Sequence, residues 1–510
     1  MKSENIYNAI TELRDDQVLA GETKLPRAVR PARFRRLGAL AAVLAAVVLV
    51  GVLAGPRWFR SVNETGETQN SSVMTCGSVD LSEFSLVRAS YPKMAPYPQE
   101  YSREKWETWQ ESYEALHTGS YCTEELSDYL KTALPTLLSG AGTENRVVSP
   151  LNLYVGLAML AECSAGETQA EILALLNVPD METLREQANT LWKSNYCDDG
   201  RLTELLAASL WLQNGRDYNM DTINTLASNY YGSVFAGEMG SADYDAALQA
   251  WINEQTKNLM EEQVGNVKLD AETVLALVTT VYYNAEWMAS FAQTESGTFH
   301  SPQGDVTCQF MQGSEFGVNV YEGDGFLAGE KWLKSSGALG GGAMYFVLPD
   351  EGLSPEDLLS RTDFLQFLTG QAGENGPEQK EAMLCLTVPK FDVSSQLPLQ
   401  QKLEELGMQT AFQESKADFS PVFSEDEGIF LSEVQHGARL SIDEIGITGA
   451  AYTESEFACA AAEEVNLILD RPFLFVVTNA EKLPIFVGIV NNPVEESQQG
   501  SGLKVRGAGH

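Results

Sequence analysis

The stretch Glu444–Phe475 constrains this 510-residue chain more than any other, because its first half suits two different surroundings. The set of alternate residues from Ile447 to Phe457 contains no charge, and both glutamates between them belong to the other set. Successive side chains of a strand point to opposite faces, so the uncharged set suits burial in a sheet while the carboxylates stay in water. The following run, Ala458–Glu463, has no large side chain to anchor a core. A segment patterned as a strand but composed like an exposed loop predicts two alternative positions.

The composition narrows the classes of function. The chain has 71 acidic and 34 basic residues and a net charge of −37, which disfavours nucleic-acid binding because that needs basic patches. Such a surface favours solubility, with attraction of basic partners as the alternative. The seven cysteines are scattered singly, without a CxxC pair, so the sequence predicts neither a zinc site nor a disulfide framework. No HExxH, GxSxG or Walker motif is present, so we predict no metal, no cofactor and no enzymatic activity.

The amino-terminal part predicts a membrane anchor. Residues 37–56 carry no charge and, as a helix, would span about 30 Å, the thickness of one hydrocarbon core. Five arginines precede this segment and few follow it, which favours a cytoplasmic amino terminus and an extracellular remainder. A cleaved signal peptide is the rival interpretation, but the leader is long and no small-x-small site follows. We predict a cytoplasmic leader at 1–36, a transmembrane helix at 37–56, an extracellular spacer at 57–120, a globular domain at 121–494 and a flexible tail at 495–510.

Several motifs resemble the serpin family of serine protease inhibitors. Glu444–Thr453 is similar to the hinge of that family, and Leu469–Phe475 is similar to its carboxy-terminal signature. Further matching motifs follow in the family order: Asn145–Asn152, Ala165–Thr168, Trp251–Thr256, Leu277–Trp287, Val388–Phe391, Leu403–Met408 and Ala417–Ser420. The resemblance implies an α+β serpin fold, with a large central, mostly antiparallel sheet, two smaller sheets, about nine helices and an exposed reactive loop, here preceded by one transmembrane helix.

The resemblance also implies that the loop after Glu444 is bait for a protease, which becomes trapped when the cut loop inserts into the central sheet. Counting from the hinge places the reactive bond between Ala460 and Ala461, whereas counting back from Pro472 places it between Ala461 and Ala462. Alanine on either count suits the shallow primary pocket of elastase-like serine proteases. The implied hinge consists of Glu444, Gly446, Ile447, Thr448, Gly449, Ala450 and Ala451, and the flank of the reactive bond consists of Phe457, Ala458, Cys459 and Ala462.

Three positions depart from the usual hinge pattern. Gly449 stands where alanine is usual, Tyr452 is bulkier than usual, and Ile447 replaces a small hydroxyl residue. Glycine weakens a strand, and each departure is expected to slow insertion. A protease would then complete hydrolysis more often, and inhibition would be partial. The alternative function is a non-inhibitory serpin-like binding or scaffold protein.

The resemblance assigns two supporting sets of residues. His436 would form a hydrogen-bonded latch for sheet opening, in which one amide and two hydroxyls meet the imidazole; the partners are Ser149, Asn152 and Thr279. At the root of the loop, Lys390 would pair with Glu444, and Trp287 would pack beneath the point where insertion begins.

The expected partners follow from these interpretations. They are elastase-like serine proteases and the membrane, the latter through the amino-terminal helix. We predict a monomer in a bacterial cell membrane, with its globular domain outside the cell, and no nucleic-acid partner.

Overall fold

The computed structural model describes residues 79–100, 102–117, 123–334, 342–373, 376–424, 428–447 and 463–494. Within these ranges no helix is both long and apolar enough to span a membrane. The predicted leader, transmembrane helix, reactive bond and tail lie outside them.

One of the two sheets is built around a strand that is buried on both faces. Strand β6 has the sequence LALVTTVYYNAE, in which β-branched and aromatic residues occupy both faces, as in a central strand. The eight strands of this central sheet run in the order β1, β5, β4, β6, β14, β13, β12, with β3 beside β4. Their bounds are β1 Ser85–Val87, β3 Cys197–Asp198, β4 Thr203–Gln213, β5 Ser233–Gly237, β6 Leu275–Glu286, β12 Phe391–Pro398, β13 Leu431–Ile442 and β14 Gly446–Ile447.

The remaining strands form a single nine-stranded sheet where the sequence predicted two smaller ones. The reason is β8, Gly304–Gly323, a 20-residue strand that pairs with β7, β9 and β11 and so joins them in one sheet. The order is β15, β11, β8, β9, β10, β16, β17, β2, with β7 beside β8. The other bounds are β2 Arg146–Val148, β7 Gln293–Ser301, β9 Phe326–Trp332, β10 Ala343–Pro349, β11 Glu378–Pro389, β15 Glu464–Ile468, β16 Phe473–Thr478 and β17 Pro484–Val490.

The described residues contain eleven α-helices, against the nine or so predicted. They are α1 Arg103–Leu116, α2 Thr123–Leu138, α3 Pro150–Glu162, α4 Gly166–Leu175, α5 Met181–Ser194, α6 Met220–Asn229, α7 Ala242–Gln255, α8 Glu261–Val264, α9 Pro355–Leu359, α10 Thr362–Leu368 and α11 Gln400–Glu405. Helix α3 is buried almost all round and packs against β4, β6 and β17. It approaches β6 closely because Gly156 has no side chain; a Cβ there would lie 2.5 Å from Thr279 Cγ2.

The described part of the predicted spacer packs against the globular domain. Strand β1 extends the central sheet beyond β5, and the Tyr91 ring stacks on Trp192 of α5 at 5.6 Å. Helix α1 buries Trp109, whose Nε1 donates a hydrogen bond to Asp199 Oδ2 at 3.0 Å. The sequence predicted a spacer over 57–120; among its described residues, Tyr91 packs against the main core and Trp109 is buried. Residues 79–117 are therefore part of the fold.

Candidate functional site

The hinge of the predicted loop begins with a tight turn at the end of β13. Asp443 Oδ1 accepts hydrogen bonds from the main-chain N–H groups of Ile445 and Gly446, at 2.8 and 3.0 Å. The N–H of Asp443 also donates to the carbonyl of Gly446 at 3.0 Å. Aspartate is a preferred turn residue because its side chain bonds to nearby backbone in this way. The turn reverses the chain and directs it back into the central sheet.

Two residues of the hinge are already a strand of that sheet. Strand β14 lies between β6 and β13, with Ile447 opposite Ala285 on one side and Ile442 on the other. The Ile447 side chain is fully buried. A Cβ on Gly446 would lie 2.3 Å from the carbonyl oxygen of Ala285, so only glycine fits at this point. Two residues of the predicted hinge therefore already lie within the central sheet.

Beyond the end of β14, its two neighbours β6 and β13 pair directly with each other. Strands β6 and β13 pair directly and in parallel, from Leu275 opposite Leu431 to Thr280 opposite Gly437. We call this paired stretch the seam. A longer inserted strand would have to separate it, so the seam limits how far the hinge can enter.

The turn after β6, residues 287–291, donates hydrogen bonds to the carbonyl groups of the hinge. The N–H of Trp287 donates to the carbonyl of Ile445 at 2.8 Å, and the N–H of Phe291 donates to that of Glu444 at 2.9 Å. The indole Nε1 of Trp287 donates to the carbonyl of Asp443 at 2.9 Å. The Trp287 side chain is fully buried, and its bonds place it next to the predicted hinge; that it supports insertion there stays a prediction.

An ion pair fixes the amino-terminal root of the loop. Lys390 Nζ lies 2.5 Å from Glu444 Oε1, so the expected contact is formed. Thr294 Oγ1 donates to the same carboxylate at 2.7 Å. Burial alone would raise the pKa of Glu444, but the hydrogen bonds from Lys390 and Thr294 outweigh it and lower the pKa. No sequence signal singled out Thr294.

His436 links the two strands of the seam. Its Nε2 accepts a hydrogen bond from the main-chain N–H of Ser149 at 3.0 Å, and its Nδ1 lies 2.8 Å from Thr279 Oγ1 on β6. A main-chain N–H can only donate, so Nε2 carries no proton and the neutral ring is protonated at Nδ1. Nδ1 then donates to Thr279 Oγ1, which in turn donates to the carbonyl of Gln435 at 3.4 Å. Burial lowers the pKa of His436 to about 4.

The latch differs from the prediction that one amide and two hydroxyls meet the imidazole. The Thr279 hydroxyl meets it, but Ser149 contributes its main-chain N–H instead of its hydroxyl. Among the described residues, Ser149 Oγ and both polar atoms of the Asn152 side chain have no hydrogen-bond partner, although all three are buried. The reason is that the ring has only two nitrogens, which the backbone and Thr279 already occupy.

The carboxyl end of the loop is fixed to the nine-stranded sheet. Strand β15 pairs in parallel with β11, and the N–H of Met383 donates to the carbonyl of Glu463 at 2.9 Å. The Glu463 side chain forms an ion pair with Lys380 at 3.0 Å. The predicted positions between the two ends lie outside the described residues: Thr448, Gly449, Ala450, Ala451, Phe457, Ala458, Cys459, Ala460, Ala461 and Ala462.

Besides Thr294, sequence reasoning missed Asp443, Lys331 and Glu315 at this site. Asp443 makes the hinge turn, and an aspartate three residues before a glycine was an available turn signal. Lys331 and Glu315 form a buried ion pair beside the turn at 287–291. Their sequence separation and their positions inside strands gave no signal of that pairing.

Comparisons with known proteins agree on one family. A family model described as Serpin (serine protease inhibitor) matches residues 132–493. Putative serpin-Z12 of Oryza sativa subsp. japonica is 28% identical over 380 residues, which cover 70% of this chain and 87% of that protein. Plasminogen activator inhibitor 1 of Sus scrofa is 24% identical over 400 residues, covering 76% and 96%. The native-state structure of tengpin, a thermophilic serpin, superposes with a TM-score of 0.65 at 22% identity, covering 80% of this chain and all of that one.

Proposed function

This chain belongs to the serpin family, whose members are generally protease inhibitors, and we propose that it is a suicide-substrate inhibitor of elastase-like serine proteases. The serine Oγ of the protease attacks the carbonyl carbon of Ala460 and forms an ester. The amide bond to Ala461 breaks, and its nitrogen leaves as an amine with the proton from the serine. The freed loop then inserts into the central sheet and deforms the protease before water reaches the ester.

The observation that carries this proposal is the partly inserted hinge. Strand β14 already lies between β6 and β13, and its two residues are the first that full insertion would need. Each further residue would add main-chain hydrogen bonds, worth about 0.5–1.5 kcal/mol net apiece. Insertion would therefore extend a strand that exists, which avoids nucleating a new one.

The dimensions of the central sheet suit the rest of the loop. Strands β6 and β13 each contain 12 residues, which at about 3.4 Å each gives roughly 41 Å. The segment from Ile447 to Ala460 would span roughly 48 Å as a strand. An acylated Ala460 would thus reach the far end of the seam and carry the protease with it.

The loop sequence supports both insertion and the choice of protease. The alternate set that starts at Ile447 contains no charge, so full insertion would bury no carboxylate. An unpaired buried charge costs several kcal/mol, and this pattern avoids that cost. Alanine at the reactive bond offers an elastase-like pocket a small apolar side chain and offers a trypsin-like pocket no charge.

The direct experiment mixes residues 57–510 with elastase and examines the products on a denaturing gel. We expect an adduct that survives denaturation, and we expect none with elastase whose active-site serine is blocked. Cleavage without an adduct would favour the alternative, a non-inhibitory binding or scaffold protein. Ala460→Arg should transfer adduct formation from elastase to trypsin, and an unchanged preference would show that the reactive bond lies elsewhere.

A matched pair of variants tests the insertion step separately. Thr453→Arg places a charge in the set that would be buried, whereas Tyr452→Arg places the same charge in the outward set. We expect Thr453→Arg to be cleaved and released without an adduct, and Tyr452→Arg to keep trapping. Equal behaviour of the two variants would contradict insertion in this register.

We also propose that residues 37–56 anchor the protein in a bacterial cell membrane with the inhibitory domain outside. The uncharged segment and the arginines before it support this location. Protease treatment of intact cells that express the full chain should digest the domain but spare a tag at the amino terminus. Release of the domain into the medium would instead indicate a cleaved signal peptide.

A further inference from the structure

A buried ion pair lies beside the turn that holds the hinge. The side chain of Lys331 on β9 is 0% exposed and that of Glu315 on β8 is 7% exposed. Lys331 Nζ donates to Glu315 Oε1 and, at 2.7 Å, to the carbonyl of Ala289. The same ammonium lies 4.3 Å from the ring centre of Phe291 and 5.4 Å from that of Trp287. Apart from the bond to Glu315, these contacts of the Lys331 ammonium are all with the turn at 287–291.

Stability alone does not explain this pair. Burial lowers the pKa of Lys331 and raises the pKa of Glu315, and the charge of each partner opposes the shift of the other. Removing two charges from water can exceed the energy of their attraction, and apolar residues of similar volume often serve stability as well. A buried pair of this kind therefore suggests a role in fixing one particular geometry.

We propose that Lys331, held in place by Glu315, is a positioning residue that shapes the turn at 287–291 so that the turn grips the hinge. Ala289 is the middle residue of that turn. Trp287 and Phe291, two residues to either side, supply the three donors that bind the hinge carbonyls. Lys331 binds the central carbonyl and lies against both flanking rings, so a single side chain fixes the spacing of all three donors.

The hydrogen bonds between the turn and the hinge form without any protease, whereas their effect on trapping can be seen only when a protease cuts the loop. A firm grip keeps β14 seated, ready to extend when the loop is cut. The expected effect on trapping therefore rests on the function proposed above, but the effect on the hinge of the uncleaved protein does not. The two effects can be measured separately.

The test uses the double variant Lys331→Met/Glu315→Leu, which removes the pair without leaving either charge buried alone. Amide hydrogen exchange of Trp287 and Phe291 reports directly on the grip, because both N–H groups bond to hinge carbonyls. We expect exchange at these two amides to be about tenfold faster, as expected for the loss of roughly one net hydrogen bond. The midpoint of thermal unfolding and exchange in β16 should stay unchanged.

The control variant is Lys380→Met, which removes the exposed ion pair with Glu463 at the other root of the loop. It should leave exchange at Trp287 and Phe291 as in the parent. Glu315→Gln serves as a second variant, since glutamine keeps an acceptor for Lys331; it should accelerate exchange at the same amides. Unchanged exchange at the turn in both variants would overturn the proposal. In the double variant, which leaves neither charge buried alone, a general rise across the domain with a lower unfolding midpoint would also overturn it, because that would indicate a purely structural role.

With elastase, the double variant should need several times more inhibitor per protease inactivated than the parent. If the parent itself forms no adduct, the function proposed above fails while the exchange result still decides the role of Lys331. A third outcome is that the unmodified protein forms an adduct and the double variant exchanges faster at the turn but traps protease equally efficiently. The contact between turn and hinge would then exist without governing trapping, and that part of the proposal would be overturned.

Discussion

Acidification should weaken the protein through His436, because its surroundings admit only the neutral imidazole. Its Nε2 faces the N–H of Ser149, so a proton there would place two donors against each other at 3.0 Å. Burial lowers the pKa of His436 from the ordinary 6.5 to about 4. A pKa change of one corresponds to 1.36 kcal/mol, so the difference amounts to roughly 3 kcal/mol of folding free energy.

The sign follows from proton binding in the two states. Between pH 6.5 and 4 the unfolded chain binds a proton at His436 and the folded chain does not, so the free energy of unfolding falls as the pH is lowered through this window. Above pH 6.5 the contribution is complete, and below pH 4 its loss is complete. The added proton goes to Nε2, so acid breaks the contact with the Ser149 N–H, whereas Nδ1 keeps its proton and can still donate to Thr279 across the seam.

Urea denaturation at a series of pH values, in the unmodified protein and in His436→Gln, measures the contribution of His436 to the free energy of unfolding as the difference between the two proteins. Other groups with shifted pKa values, including His117, Glu204 and Glu433, titrate in both proteins and cancel. We expect the difference between the two proteins to change by roughly 3 kcal/mol between pH 7 and 4. A constant difference, or an imidazole that titrates near pH 6.5 by carbon-13 NMR of labelled histidine, would refute the reasoning.

Three further changes test the hinge and the amino-terminal segment. Ile447→Glu should expel β14, because the variant loses about 1.5–3 kcal/mol of apolar burial and would bury a carboxylate. Hydrogen exchange of the Ala285 amide should then rise, whereas the control Ile447→Val should keep the strand. Continued protection of Ala285 in the glutamate variant would contradict the prediction. Gly446→Ala should have the same effect on exchange because its Cβ meets the Ala285 carbonyl, while Gly265→Ala, which meets nothing within 4 Å, serves as its control; equal results for the two would argue against the close approach. Trp109→Ala should lower stability to urea by about 3–5 kcal/mol, or expose residues 79–117 to proteolysis if the segment detaches first; neither effect would be expected if the segment were only a spacer.

The local pattern predicted the central strand, and the family resemblance predicted the ion pair at the root of the loop. The run of β-branched and aromatic residues at Leu277–Trp287 became the central strand β6 with Trp287 at its end. Lys390 and Glu444 lie within ion-pair distance, 54 positions apart in the sequence, as the family resemblance implied. Such features are encoded in residue type and order, so a single sequence carries them.

Features that depend on three-dimensional proximity could not be predicted. Lys331 and Glu315 lie on the neighbouring strands β9 and β8, and their burial as a pair follows from tertiary packing that neither strand's own pattern encodes. Likewise, the two nitrogens of His436 select a backbone N–H over the Ser149 hydroxyl because of where α3 begins. Residue identity gives the available donors and acceptors, and the geometry decides which of them meet.

Ile447 shows how one residue changes meaning between sequence and structure. As a bulky replacement for a small hydroxyl residue, it was expected to slow insertion. In the structure it is already inserted and fully buried, paired to Ala285 and Ile442. A β-branched apolar side chain gains more from burial than a hydroxyl residue would, so isoleucine stabilises the partly inserted hinge. In the proposed mechanism, the first step of insertion therefore precedes cleavage, and the next residues could follow only after the bond between His436 and Thr279 in the seam breaks.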